Sequence, residues 1–128
     1  MRKLLLDTHT FLWWLQDSPR LGAEARALIA EPRNEIYVSA ASLWEISIKK
    51  SLGKLQAPDG LDSAVEKEGF APLAISLFHA ERAGALAPLH RDPFDRMLVA
   101  QSQAEGLDIL SADSELSRYG VKVINAAE

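Results

Sequence analysis

Short, almost wholly apolar runs alternate along this chain with longer stretches in which apolar residues return every three or four positions. Runs such as Leu4-Leu5-Leu6, Ile36-Tyr37-Val38 and Ile109-Leu110 suit strands buried on both faces, whereas the longer stretches suit helices with one apolar side. Asp17-Ser18-Pro19, Pro32-Arg33-Asn34, Gly53 and Gly106 punctuate them with turn and helix-stop chemistry. The pattern predicts strands over residues 3–6, 35–39, 70–75, 108–110 and 121–124. It predicts helices over residues 8–16, 22–30, 40–52, 61–68, 78–86 and 93–105, with a last short one over 114–118. Strands alternating with helices in this way favour a parallel sheet covered by helices on both faces, an α/β fold. The chain of 128 residues, without repeat, low-complexity tract or linker, is read as one domain over residues 1–128. At that length folding buries roughly two-thirds of the surface the unfolded chain exposes, enough for a core without staples.

Composition narrows the function more than the fold. Hydrophobic residues make up 48% and charged residues 25%, ordinary values for a soluble globular protein. The absence of cysteine excludes disulfides, thiolate zinc sites and cysteine nucleophiles, and suits a cytoplasmic protein. Met1-Arg2-Lys3 followed by leucines imitates a signal peptide, but Asp7 and His9 interrupt the apolar run, so it reads as a buried first strand; no membrane association is expected. A net charge of −4 argues against gripping nucleic acid by general attraction, which needs Lys and Arg at phosphates. It leaves a nuclease open, because the basic residues cluster locally as Lys49, Lys50 and Lys54 and as His90, Arg91 and Arg96. Solvated helix faces explain any single one of them equally well.

Four acids stand where strand-like runs give way to helix starts: Asp7, Glu45, Asp95 and Asp113. In an open α/β sheet, ligands bind outside the carboxyl ends of the strands, so these acids can meet there. Gathered carboxylates repel one another unless a cation neutralises them, and all-oxygen donors point to Mg²⁺ or Mn²⁺. Each acid also has a structural explanation. Asp7 can cap the helix starting at Thr8, and Asp113 the last short helix. Asp92, before Pro93, carries a strong capping signature, and capping is preferred for it. Asp95 shares a helix face with Leu98, Val99 and Ser102, which turns its carboxylate inward. Glu45 lies within the apolar Leu43-Trp44-Glu45-Ile46-Ser47-Ile48, where an unpaired carboxylate is costly, so it needs a metal or the nearby Lys49. His9 and His90 are read as packing or surface residues, since metal-activated water needs no imidazole base. Adjacent Trp13 and Trp14 cannot both face one core, so one of them is expected half-exposed, either buried on two sides between the sheet and a neighbouring helix or offering an anchor for a partner helix.

Taken together, Leu4-Leu5-Leu6-Asp7-Thr8-His9, Ser42-Leu43-Trp44-Glu45-Ile46 with Lys49, His90-Arg91-Asp92-Pro93-Phe94-Asp95-Arg96 with Ala100-Gln101, and Leu110-Ser111-Ala112-Asp113 resemble PIN domains, in particular the VapC-like toxins of toxin–antitoxin pairs. The resemblance covers essentially the whole chain and implies a three-layer α/β/α PIN-like fold. It implies Asp7, Glu45 and Asp95 as the central acids and Asp113 as the fourth, although the family's last motif often begins with Thr where this chain has Ser111. The activity implied is Mg²⁺- or Mn²⁺-dependent hydrolysis of RNA, with Asp113 positioning a second ion or the attacking water. Thr8 and Ser111 would supply hydrogen bonds to the acids, and Arg96 or Lys49 would meet phosphate or serve structure. The partners implied are an RNA substrate, a small antitoxin that blocks the acidic site, and a second copy in a homodimer.

Other classes fit less well. A phosphotransferase with a strand-end aspartyl nucleophile lacks its second Asp, since His9 stands there. A dinucleotide-binding domain lacks its Gly-rich turn, replaced by Asp7-Thr8-His9-Thr10. The serious alternatives are a PIN-like module that binds RNA or protein without cutting, and a DNA-directed nuclease.

Overall fold

The computed structural model describes all residues, 1–128. The strands are β1 (Lys3–Leu6), β2 (Glu35–Ser39), β3 (Ala71–Leu73), β4 (Asp108–Ser111) and β5 (Val123–Asn125). The helices are α1 (Thr8–Leu15), α2 (Ala23–Ala30), α3 (Ala40–Ser51), α4 (Leu61–Lys67), α5 (Leu77–Ala85) and α6 (Pro93–Glu105), followed by a 3₁₀ helix at Ser114–Tyr119. All five strands pair in parallel in the order β3-β2-β1-β4-β5. The order reverses direction around β1, so the carboxyl ends of β1, β2 and β4 flank one switch point.

Alternation along β1 divides the core. Leu4 and Leu6 face Phe11, Leu12, Ile29, Ile46 and Val65 on one side, together with Ile36, Val38 and Leu110. Leu5 faces the other way onto Leu98 and Leu107, while Ile109 joins Val99 and Leu116. Helices α1 to α4 therefore cover one face of the sheet, and α6 with the 3₁₀ helix covers the other, which gives the expected three-layer α/β/α arrangement. No helix is long and apolar enough to cross a membrane. Leu5 is fully buried; Leu5→Ala is expected to lower the free energy of unfolding by about 2–5 kcal/mol. Urea titration checks this, and a loss below about 1 kcal/mol would show that the second face is loosely packed.

Several boundaries move for local reasons. β3 spans Ala71–Leu73 rather than 70–75, because Gly69 enters it at φ +75° and Ser76 already caps α5 beyond it. Its Pro72 is tolerated at the sheet edge. β5 starts later than expected, at Val123, since Gly120 at φ +80° first closes the 3₁₀ helix. The tryptophans follow the two-sided burial. Trp13 and Trp14 are both half-buried against the main core, Trp14 lying 6.1 Å from Phe70 and donating through Nε1 to Glu68 at 3.0 Å. Helix α4 and the chain after it supply the second surface that lets neighbouring rings both pack. The exposed ring is Trp44, 61% accessible, edge-on to Phe94 at 5.4 Å.

Candidate metal centre

Each of the four acids sits at a junction that its local sequence explains. Asp7 follows β1 and caps α1: its Oδ1 accepts from the Thr10 backbone N–H at 2.9 Å. Asp113 follows β4 and caps the 3₁₀ helix through Glu115 N–H at 3.0 Å. Glu45 lies on the second turn of α3, which leaves the end of β2 through the Ser39 cap. Asp95 lies in the first turn of α6, whose start is set by Pro93 and by Asp92, which accepts from Phe94 N–H at 2.8 Å and Asp95 N–H at 3.3 Å. Capping is therefore the role of Asp92, as expected, and for Asp7 and Asp113 capping consumes one carboxylate oxygen and leaves the other facing the site.

Those remaining oxygens are joined by short side-chain links. Thr8 donates to Glu45 Oε1 at 2.6 Å, so the residue after Asp7 anchors the acid of α3. Ser111 donates to Asp7 Oδ2 at 2.5 Å and accepts from Asp113 N–H at 2.9 Å, coupling the ends of β1 and β4 through one hydroxyl. His90 Nε2 lies 3.2 Å from Asp113 Oδ2 and 3.3 Å from Asp95 Oδ2. A continuous chain of contacts thus runs from Glu45 through Thr8, Asp7, Ser111, Asp113 and His90 to Asp95. Asp7 and Glu45 are buried, whereas Asp95 and Asp113 expose 24% and 41% of their side chains, so the acids form a slope open to solvent at one end.

The charge at this slope is not balanced from within. Asp95 is pushed up to about 7, first by burial and then by Asp92, with further repulsion from Asp7 and Glu45 that the His90 ring partly offsets. Lys49 is the one ammonium bound to an acid of the site, 2.6 Å from Glu45 Oε2, and its affinity for the proton is raised by that hydrogen bond against the cost of burial. The Glu45–Lys49 pair exists, so the structural explanation of Glu45 coexists with its place among the acids. Carboxylate oxygens with one half-buried member held near neutral pH form a donor set that suits a hard divalent cation. Donor atoms of His90, Asp95 and Asp113 lie within 4.8 Å of one another; Asp7 and Glu45 fall outside that tight group.

Expectations about the bases and cations sort unevenly. His9 is exposed, with its ring 6.3 Å from Trp13, and takes no part. His90, read from sequence as a packing or surface residue, instead stands between two of the acids; its only local clue is its place just before the Asp92-Pro93 helix start. Arg96 is unavailable to phosphate, because its guanidinium donates to the carbonyls of Ala83, Leu86, Ala87 and His90 at 3.0–3.3 Å. Lys50 is engaged by Asp59. Arg91, next in sequence to His90, is exposed. A concavity of about 520 Å³ between α3, α4 and β3 is lined by Val38, Leu43, Val65 and Pro72, and none of the four acids lines it. An open acidic slope rather than a closed pocket suits a polymer threaded past it.

Known proteins share this fold. The profile of the family described as PIN domain matches residues 4–122. Ribonuclease VapC16 of Mycobacterium tuberculosis is 40% identical over 79 residues, 55% of this chain and 56% of that protein, so the match spans about half the length of that curated relative. Among solved structures, VapBC2 of Rickettsia felis bound to a DNA fragment from its promoter superposes with a TM-score of 0.71 at 20% identity, covering 96% of this chain and 98% of that one. DNA-bound VapBC of Salmonella typhimurium superposes with a TM-score of 0.67 at 22% identity, covering 97% and 98%. At such identities the superpositions speak for the fold.

Proposed function

The chain belongs to the PIN domain family, and we propose that it is a divalent-metal-dependent endoribonuclease, the toxin of a toxin–antitoxin pair. The observation that carries this is the linked row Glu45, Asp7, Asp113 and Asp95 at the carboxyl ends of β1, β2 and β4, with Asp95 raised to about 7 by burial and neighbouring acids. The name of the M. tuberculosis relative supplies the ribonuclease activity, and the VapBC complexes supply the kind of partner. The acting unit is the whole of residues 1–128 as one domain in the cytoplasm.

In this reading Asp7, Glu45 and Asp95 hold Mg²⁺ or Mn²⁺, and Asp113, more exposed, orients the attacking water or helps hold a second ion. When bound, such an ion lowers the pKa of a coordinated water and neutralises charge building on the phosphate. The chain's own residues do the rest. Thr8 and Ser111 fix the carboxylate rotamers of Glu45 and Asp7 by hydroxyl donation, and exposed Arg91 meets the RNA backbone. Trp44, with 61% of its surface exposed and backed by Phe94, is where the antitoxin or the second copy of a homodimer gains an aromatic anchor.

The test is cleavage of a mixed cellular RNA pool by the purified, antitoxin-free chain. Cutting with Mg²⁺ or Mn²⁺ that EDTA abolishes is expected, with single-stranded DNA left intact. A folded chain that cuts neither would identify a binding module, and one that cuts DNA instead would change the substrate.

A further inference from the structure

The loop between α5 and α6 is held more firmly than an exposed connection needs to be. Both backbone groups of His90 are engaged: its N–H donates to Tyr119 Oη at 2.9 Å and its carbonyl accepts from Arg96 Nη1 at 3.3 Å. Tyr119 in turn donates to Ala87 O at 2.8 Å, and Arg96 binds three more carbonyls at the end of α5 and just beyond it, those of Ala83, Leu86 and Ala87. Two side chains from separate elements thus fix the position of one residue.

The ring of that residue is oriented at both nitrogens. The backbone N–H of Asp92 donates to His90 Nδ1 at 3.2 Å, so Nδ1 is the acceptor and Nε2 is left as the donor. Nε2–H then points between Asp113 Oδ2 at 3.2 Å and Asp95 Oδ2 at 3.3 Å. A histidine that binds metal through Nε2 offers an N–H from Nδ1 to an acceptor; here Nδ1 already faces a donor. The same three residues that group like a metal triad are therefore joined in a different way.

We propose that His90 is a positioning residue, a bridging donor that holds the carboxylates of Asp95 and Asp113 converged without itself ligating the ion, and that Arg96 and Tyr119 aim it. The inference rests on the metal reading of the acids given above. An N–H shared between the two carboxylate oxygens offsets the repulsion that would otherwise drive them apart. The ion's protein donors then remain all oxygen, as Mg²⁺ prefers.

Mn²⁺ binding to the full chain, followed by electron paramagnetic resonance with nuclear coupling to ¹⁴N, tests this without reference to activity. In the wild type, Mn²⁺ binds with no coupling from a directly coordinated nitrogen. His90→Leu weakens Mn²⁺ affinity about 10-fold, the usual consequence of losing a hydrogen bond to a ligand, whereas His90→Gln, whose amide keeps a neutral N–H at similar reach, stays within about threefold of the wild type. A directly bound ¹⁴N signal lost in His90→Gln would make His90 a ligand and overturn the proposal. Affinity unchanged in His90→Leu, or lost equally in both variants, would overturn it as well. The nitrogen coupling is read on the wild type, so it decides even if His90→Leu fails to fold. A wild type that binds no Mn²⁺ would overturn the metal reading itself and this inference with it, a result distinct from binding that the variants leave untouched.

Discussion

Asp95→Asn is expected to abolish RNA cleavage, by about 1,000-fold or more, and at the same time to make the metal-free protein more stable. The first effect follows from loss of a ligand charge at the phosphate, where stabilisation of roughly 4 kcal/mol corresponds to that factor in rate. The second follows from linkage. Asp95 is raised from its ordinary 3.8 to about 7 by burial and by Asp92, Asp7 and Glu45. Between those values the unfolded chain has lost its proton and the folded chain keeps it, so stability falls as pH rises through that window and stays low above it. Asparagine has no charge to bury. After discounting for partial exposure, the variant gains about 1–3 kcal/mol at pH 8 in EDTA and nothing at pH 3. Thermal melts at the two pH values check this, and a variant no more stable than wild type at pH 8 would show that the acids do not crowd one another.

Glu45→Gln separates the two roles that this side chain fills. Buried Glu45 accepts from Thr8 at 2.6 Å and Lys49 at 2.6 Å, so it is both an acid of the site and half of a partly buried ion pair. The amide keeps the shape and can still accept from Thr8, but it binds a cation poorly. A loss of cleavage of about 100-fold or more, with the fold intact by circular dichroism, is expected from the metal role. If the ion pair alone mattered, the variant would instead lose stability while each folded molecule cut RNA at the wild-type rate. Breaking a fully buried pair costs about 3–5 kcal/mol, and Lys49, with 39% of its side chain exposed, reduces that cost by reaching water. RNA cleavage per folded molecule is therefore the decisive reading.

How far the site could be read from sequence depended on whether its determinants were local. The cap at Asp92-Pro93, the inward face of Asp95 and the costly placement of Glu45 all follow from neighbours within a turn of helix, and each stands in the structure as expected. Asp113 was ambiguous because a cap and a ligand look alike in Ser111-Ala112-Asp113-Ser114. The structure shows it serving as cap with Oδ1 while Oδ2 meets His90. Arg96 was left open between phosphate and a structural role because its carbonyl partners belong to the end of α5 and the loop beyond it, and no spacing rule foretells that a guanidinium will gather four of them. The tryptophan pair stayed open for a similar reason: helical geometry forbids one shared face, and only the fold shows that α4 and Phe70 supply a second surface.

By itself, the sequence determined which segments are strands and helices, that the central strands β1 and β4 would be buried on both faces, and which acids would stand near strand ends. Those are properties of period and of local hydrogen bonding, and they act over a few residues. Only the tertiary structure decided that β1 lies between β2 and β4, bringing Asp7 next to Ser111 across 104 positions and His90 between Asp95 and Asp113. Strand order is set by how whole helices pack on the two faces of the sheet. A contact that depends on that packing leaves no periodic trace in either partner, and so the hydroxyl and the imidazole that organise the acids became legible only once the sheet was assembled.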